Sequence, residues 1–175
     1  NKIIQFLLKS NVKVVIIACN TATVYAIDYL RQKYKIPIIG TVPVIKTIAS
    51  ISKTNKTAVF STPATAKSKY LKNLIKKFAS GVKVYRVGGT GLEELIEKGD
   101  LQNRKINYIL HKFLEPLLKK RVDAIALGCT HYPFLKVQIQ RIVGKKVQIL
   151  DSGGAVARQV KKILTSNKTL SNKRE

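Results

Sequence analysis

The sequence has no methionine and no tryptophan, and holds only two cysteines, two histidines and nine acidic residues. Two cysteines are too few for a disulfide-stapled scaffold. No apolar run approaches the roughly 18 residues that a membrane span needs. The opening Ile3-Ile4-Gln5-Phe6-Leu7-Leu8 is short, and lacks the cationic start and small-residue cleavage site of a signal peptide. These absences predict a cytoplasmic protein without a membrane partner and with both cysteines reduced; a Cys19–Cys129 disulfide is the disfavoured alternative. A translated chain normally starts with methionine and this one starts with Asn1, so it reads as a fragment or a processed chain.

The scarcity of acid has a second consequence. Against 33 lysines and arginines the nine carboxylates leave a net charge of +24. Such a balance suits nucleic acid or another anionic surface. It also arises from a compositional bias toward lysine. The cations here are mostly lysine and are spread along helical stretches, whereas bidentate reading of bases or phosphates favours arginine. The bias is the preferred reading, and nucleic acid is disfavoured as a partner.

What is present is a core. Apolar residues make up 45% of 175 residues, enough for one large domain or two small ones. Short apolar runs alternate with amphipathic stretches. Strands are expected at 12–18, 36–39, 57–60, 82–87, 124–127 and 147–150. Helices are expected at 21–34, 44–50, through Tyr70 to Phe78, at 92–98, 106–119, from Pro133 onward, and at 155–164. Gly40-Thr41 reads as a turn, Pro43 suits a first helical turn, and residues 165–175 read as a frayed polar tail. The alternation predicts an α/β fold with parallel sheet flanked by helices.

Two stretches stand out. Asp123 to Pro133 reads D-A-I-A-L-G-C-T-H-Y-P: a buried-strand run, a glycine, then Cys129, Thr130 and His131 where a helical pattern begins. Val12 to Asn20 reads V-K-V-V-I-I-A-C-N and repeats the arrangement around Cys19, Asn20 and Thr21. Both cysteines thus sit at a strand end and a helix start. Ligands bind at the carboxyl ends of strands in open α/β sheets. Helix N-termini favour thiolate, so both thiol pKa values are expected to fall.

A-C-N-T-A and G-C-T-H-Y-P, in this order, resemble the two catalytic motifs of glutamate racemase, and the resemblance runs from about Ile3 to Leu164. G-C-T-H-Y-P is the more specific, since related aspartate racemases usually carry glutamate at the place of His131. The resemblance implies two lobes of parallel sheet with the active site in the cleft between them. Residues 1–42 and 153–175 would form the first lobe and 43–152 the second. It also implies that the first lobe is incomplete, because the family's opening Asp-Ser-Gly strand and Pro-Tyr-Gly loop do not precede Asn1. The activity implied is cofactor-independent interconversion of L- and D-glutamate, supplying D-glutamate for peptidoglycan, with a homodimer allowed.

Racemisation at Cα needs a base on one face and an acid on the other, and two thiols serve both directions. Cys19 and Cys129 are the expected pair; small buried hydrophobes are the alternative. By resemblance His131 assists Cys129 in proton transfer, and Glu97, in L-I-E-K-G, pairs with that histidine. Glu93 and Glu94 rival Glu97, as does a plain solvated helix carboxylate, and G-T-G-L-E-E departs from the family's usual Cys-Pro and Val-Pro pattern. Asn20, Thr21, Thr62, Thr65 and Thr130 match positions that hold the substrate's carboxylates and ammonium; each also suits a helix N-cap. The acid partner of Cys19 would come from the Asp-Ser-Gly segment, and Asp151-Ser152-Gly153 is not assigned that role. His111 matches no motif. No metal is expected, because Cys-x-His with a remote second cysteine lacks structural zinc spacing. Gly88–Gly91 completes no phosphate-binding fingerprint. A basic nucleic-acid-binding domain and an inactive racemase remnant are the rival readings.

Overall fold

A computed structural model of the chain describes residues 1–171. The first unit comprises α1 (Lys2–Lys9), β1 (Val15–Ile17), α2 (Asn20–Lys33) and β2 (Ile38–Gly40). β1 and β2 pair in parallel, Val15 opposite Ile38 and Ile17 opposite Gly40. A parallel pair needs a crossover, and α2 supplies it. Ile4, Val15, Leu30 and Ile38 close the small core beneath it. Gly40 allows α2 to lie close: a Cβ there would stand 2.4 Å from Ile27 Cδ1 and from Thr23 Cγ2.

The second unit begins with α3 (Ile45–Ile51), β3 (Lys56–Ser61), α4 (Pro63–Lys67), α5 (Lys69–Phe78) and β4 (Lys83–Gly88). It continues through α6 (Leu92–Glu97), α7 (Arg104–Lys119), β5 (Ala124–Gly128), a 3-10 turn (Tyr132–Leu135), α8 (Lys136–Val143) and β6 (Gln148–Leu150). The last helix, α9 (Gly153–Ser166), returns to pack against β2. The four strands run parallel in the order β4-β3-β5-β6. β3 and β5 are central and buried on both faces, which is why they read as unbroken apolar runs. One face packs Phe60, Ile125 and Leu127 under Leu92, Leu110, Leu114 and Ile139. The other packs Val59 and Ala126 under Ile45, Ile48 and Leu71.

The entrance to β5 is locked by Asp123. Its carboxylate accepts from Ser52 Oγ at 2.7 Å and from the backbone N–H groups of Lys53 at 2.7 Å and Thr54 at 2.8 Å. Burial raises its pKa, but these donors outweigh that and hold it below 3.8.

Several elements differ from their expected extent. α1 was not expected; it exposes Ile3 and Phe6. β1 starts at Val15 rather than residue 12: the chain turns at Asn11, φ 52°, and bends again at Lys13 before it becomes extended. Gly40 is the last residue of β2 rather than a turn, and Pro43 precedes α3, whose cap is Val44. A helix already begins at Pro63, and the long amphipathic helix expected after it is separate. Ser68 divides α4 from α5, donating to Thr65 O at 2.8 Å and accepting from Leu71 N at 3.1 Å. α9 extends to Ser166, so Thr165 and Ser166 are helical; of the expected frayed tail, residues 172–175 lie outside the described residues. No described helix is long and apolar enough to cross a membrane.

Candidate active site

The strand registers bring the expected residues together. Ser61 ends β3 level with Gly128 at the end of β5, so Thr62 and Cys129 leave neighbouring strands side by side. Gly128 permits this closeness, since a Cβ there would meet Ser61 Cβ at 2.8 Å and Pro43 Cγ at 3.0 Å. Across from them Cys19 leaves β1 and caps α2, its Sγ accepting from Ala22 N at 3.5 Å.

Between these strand ends lies a cavity of about 220 Å³. Cys19, Asn20 and Thr21 form one wall, with Thr62 beside them; Cys129, Thr130 and His131 form the other, and Glu93 of α6 completes it. Both cysteines are free thiols. Thr65 stands behind Thr62, fully buried. The hydroxyls of Thr21, Thr62 and Thr65 form a closed triangle: 2.9 Å from Thr21 to Thr62, 3.0 Å from Thr21 to Thr65, and 3.2 Å from Thr62 to Thr65. Thr62 also caps α4, accepting from Thr65 N at 3.2 Å, so cap and cavity wall coexist in one residue.

Asn20 is 2% exposed, and neither its Oδ1 nor its Nδ2 has a hydrogen-bond partner among the described residues. A buried amide with both ends unmade is costly, on the order of 1–3 kcal/mol per group, and calls for a polar ligand.

On the opposite wall His131 Nδ1 lies 3.7 Å from Cys129 Sγ, and its Nε2 bonds to Glu97 Oε1. The structure thus selects Glu97 over Glu94 as the histidine's partner and gives Glu93 a different one: Glu93 Oε1 accepts from Tyr132 Oη at 2.9 Å. Sequence reasoning named Glu93 only as a rival for the histidine. The signal that finds it is spacing, for Glu93 and Glu97 lie four apart on one face of α6 and meet the consecutive residues 132 and 131. His111 bonds to Glu115 on the surface of α7. Asp151 Oδ1 accepts from Gly153 N at 3.0 Å, starting α9.

The expected fall in the Cys129 pKa is overturned. Burial pushes this thiol from 9.0 up to about 11; the N–H groups of His131 and Tyr132 pull it down, and the charge of Glu93 raises it further. The sequence placed Cys129 at an α-helix start. A 3-10 turn intervenes, α8 begins only at Lys136, and a thiol 7% exposed meets desolvation rather than a helix terminus. At neutral pH it is protonated.

A parallel α/β protein with a free thiol on each of two facing walls of one cavity, a hydroxyl cluster and a histidine–carboxylate pair is the class that fold and site define. The Asp/Glu/Hydantoin racemase family model matches residues 2–160. The chain belongs to that family. It is 41% identical over 165 residues to a glutamate racemase of Herpetosiphon aurantiacus, covering 94% of the chain and 65% of the relative. It is 40% identical over 161 residues to one of Pseudomonas syringae, covering 91% of the chain and 58% of the relative. The chain therefore spans about 65% of the length of relatives such as the first. Among solved structures, a glutamate racemase isoform of Bacillus anthracis superposes with a TM-score of 0.85 at 28% identity, over 97% of this chain and 64% of that one. The D-glutamate complex of the Francisella tularensis enzyme gives 0.82 at 28% identity, over 97% and 63%.

Proposed function

We propose that the chain acts as a cofactor-independent racemase interconverting L- and D-glutamate. The observation that carries this is the placing of the chain's two cysteines on one cavity, beside an unpartnered amide and a hydroxyl cluster. Likeness to named glutamate racemases supports the choice of substrate.

The chemistry follows from the walls. The Thr hydroxyls, the Asn20 amide and the backbone around Thr130 hold the carboxylates. In one direction Cys19 thiolate takes the Cα proton: an S–H bond forms, the Cα–H bond breaks, and its electron pair spreads into the α-carboxylate. The Cys129 thiol returns a proton to the opposite face and is left as thiolate. In the reverse direction Cys129 must start as thiolate, which its raised pKa opposes. His131 answers this by taking the thiol proton through Nδ1, while Glu97 on Nε2 stabilises the imidazolium. The reading includes two lobes divided near residues 42 and 153, a cytoplasmic location suited to reduced thiols, and D-glutamate supply for peptidoglycan.

Incubation with L-glutamate in heavy water tests it. Deuterium should enter Cα as optical rotation decays, and Cys19→Ala or Cys129→Ala should abolish both while circular dichroism stays unchanged. Normal racemisation by either variant sinks the two-thiol mechanism. A salt-dependent gel shift with no proton exchange would favour the nucleic-acid reading instead.

A further inference from the structure

Glu93 faces the cavity, and no step of the two-thiol reaction uses it. Its surroundings hold it in place. Tyr132, its hydrogen-bond donor, is fully buried, its ring tilted against that of Phe60 with centroids 4.7 Å apart. The phenol oxygen also lies 3.4 Å from the carbonyl oxygens of Ser61 and Gly89, so its one proton points to Glu93. The carboxylate is thereby fixed through Oε1, while Oε2 has no hydrogen-bond partner among the described residues.

Its charge is free as well. The chain carries 33 lysines and arginines. Yet the ion pairs among the described residues are His111–Glu115, His131–Glu97 and Lys136–Asp151, and none involves Glu93. A half-buried carboxylate with no ion pair, fixed on a cavity wall, is a ready receptor for a cationic ligand group. The opposite wall offers hydroxyls and an open amide, which are donors for anions. The cavity is thus polar in one sense: negative at α6, donating at α2 and α4.

We propose that Glu93 is a specificity-determining residue whose carboxylate receives the α-ammonium of the amino acid, so that the two carboxylates turn to the threonine wall. This rests on the racemase reading and deepens it. A glutamate entering the other way round would bring its carboxylate against Glu93, and like charges at close range repel. The Glu93–ammonium contact is a charge-assisted hydrogen bond, which contributes about 10- to 100-fold in affinity.

Calorimetric titration of the 175-residue chain with L-glutamate and with glutarate, the same diacid without the amine, tests this. The unaltered chain should bind glutamate at least about 10-fold more tightly than glutarate. Glu93→Gln keeps an acceptor for Tyr132 but loses the charge. It should weaken glutamate about 10- to 100-fold, leave glutarate unchanged or tighter, and bring the two affinities together. Glu93→Asp, which retains the charge, should keep the preference. If the unaltered chain binds both diacids equally, or Glu93→Gln keeps the preference, the assignment is overturned while the racemase reading stands. If the unaltered chain binds neither diacid and exchanges no Cα proton, the racemase reading falls and the Glu93 assignment with it.

Discussion

Alkylation of Cys129 as a function of pH gives a direct reading of its environment. Iodoacetamide reacts with thiolate, so the rate follows the ionised fraction. A rise from 9.0 to about 11 cuts that fraction about 100-fold at any pH well below 9. At pH 8 roughly one Cys129 in a thousand is then ionised. The assay is peptide mass spectrometry of the Cys129-containing fragment after timed exposure between pH 7 and 11. The expected rate climbs about tenfold per pH unit and shows no plateau below about pH 10.5. Glu93→Gln should shift the curve to lower pH, because the Glu93 charge is one of the causes that raise this thiol. A plateau at or below pH 8 would show a thiol already ionised, as a helix terminus would make it, and would refute the reasoning from burial. The linked stability effect has a definite sign. The folded chain holds this proton more tightly than the unfolded chain, so the contribution is complete below pH 9 and is lost as pH rises toward 11.

Asp123→Ala removes the acceptor of three hydrogen bonds and should destabilise the chain by about 1–3 kcal/mol in urea unfolding. Because the folded pKa of Asp123 is depressed, its contribution is full above 3.8 and fades as pH falls below that value; a variant as stable as the parent at pH 7 would contradict the lock. Gly128→Ala forces a Cβ to within 2.8 Å of Ser61 Cβ and should cost about 1–3 kcal/mol, with proton exchange reduced more than unfolding predicts because Cys129 shifts. Unchanged exchange in that variant would mean the strand ends tolerate the displacement.

The sequence displayed the scaffold through its apolar runs. Central strands buried on both faces leave no alternation to misread, so β3 and β5 were located to within a residue or so. The thiols at strand ends were legible for the same reason. Element edges were less so: Asn11 and Ser68 end or divide segments through local backbone conformation that hydrophobic periodicity does not register. The electrostatics of Cys129 lay furthest from view. Its desolvation depends on α6 folding over the end of β5, and that is tertiary packing between residues more than 30 positions apart. The same packing turns Glu93, one of three carboxylates close together in sequence, into a cavity wall.

The threonine triangle has a consequence for motion. Each hydroxyl has one proton, and those protons are engaged within a ring that fastens α2, which follows a strand of the two-stranded sheet, to α4, which follows one of the four-stranded sheet. Any acceptor that drew on these hydroxyls would compete with the grip between the two sheets for the same hydrogens.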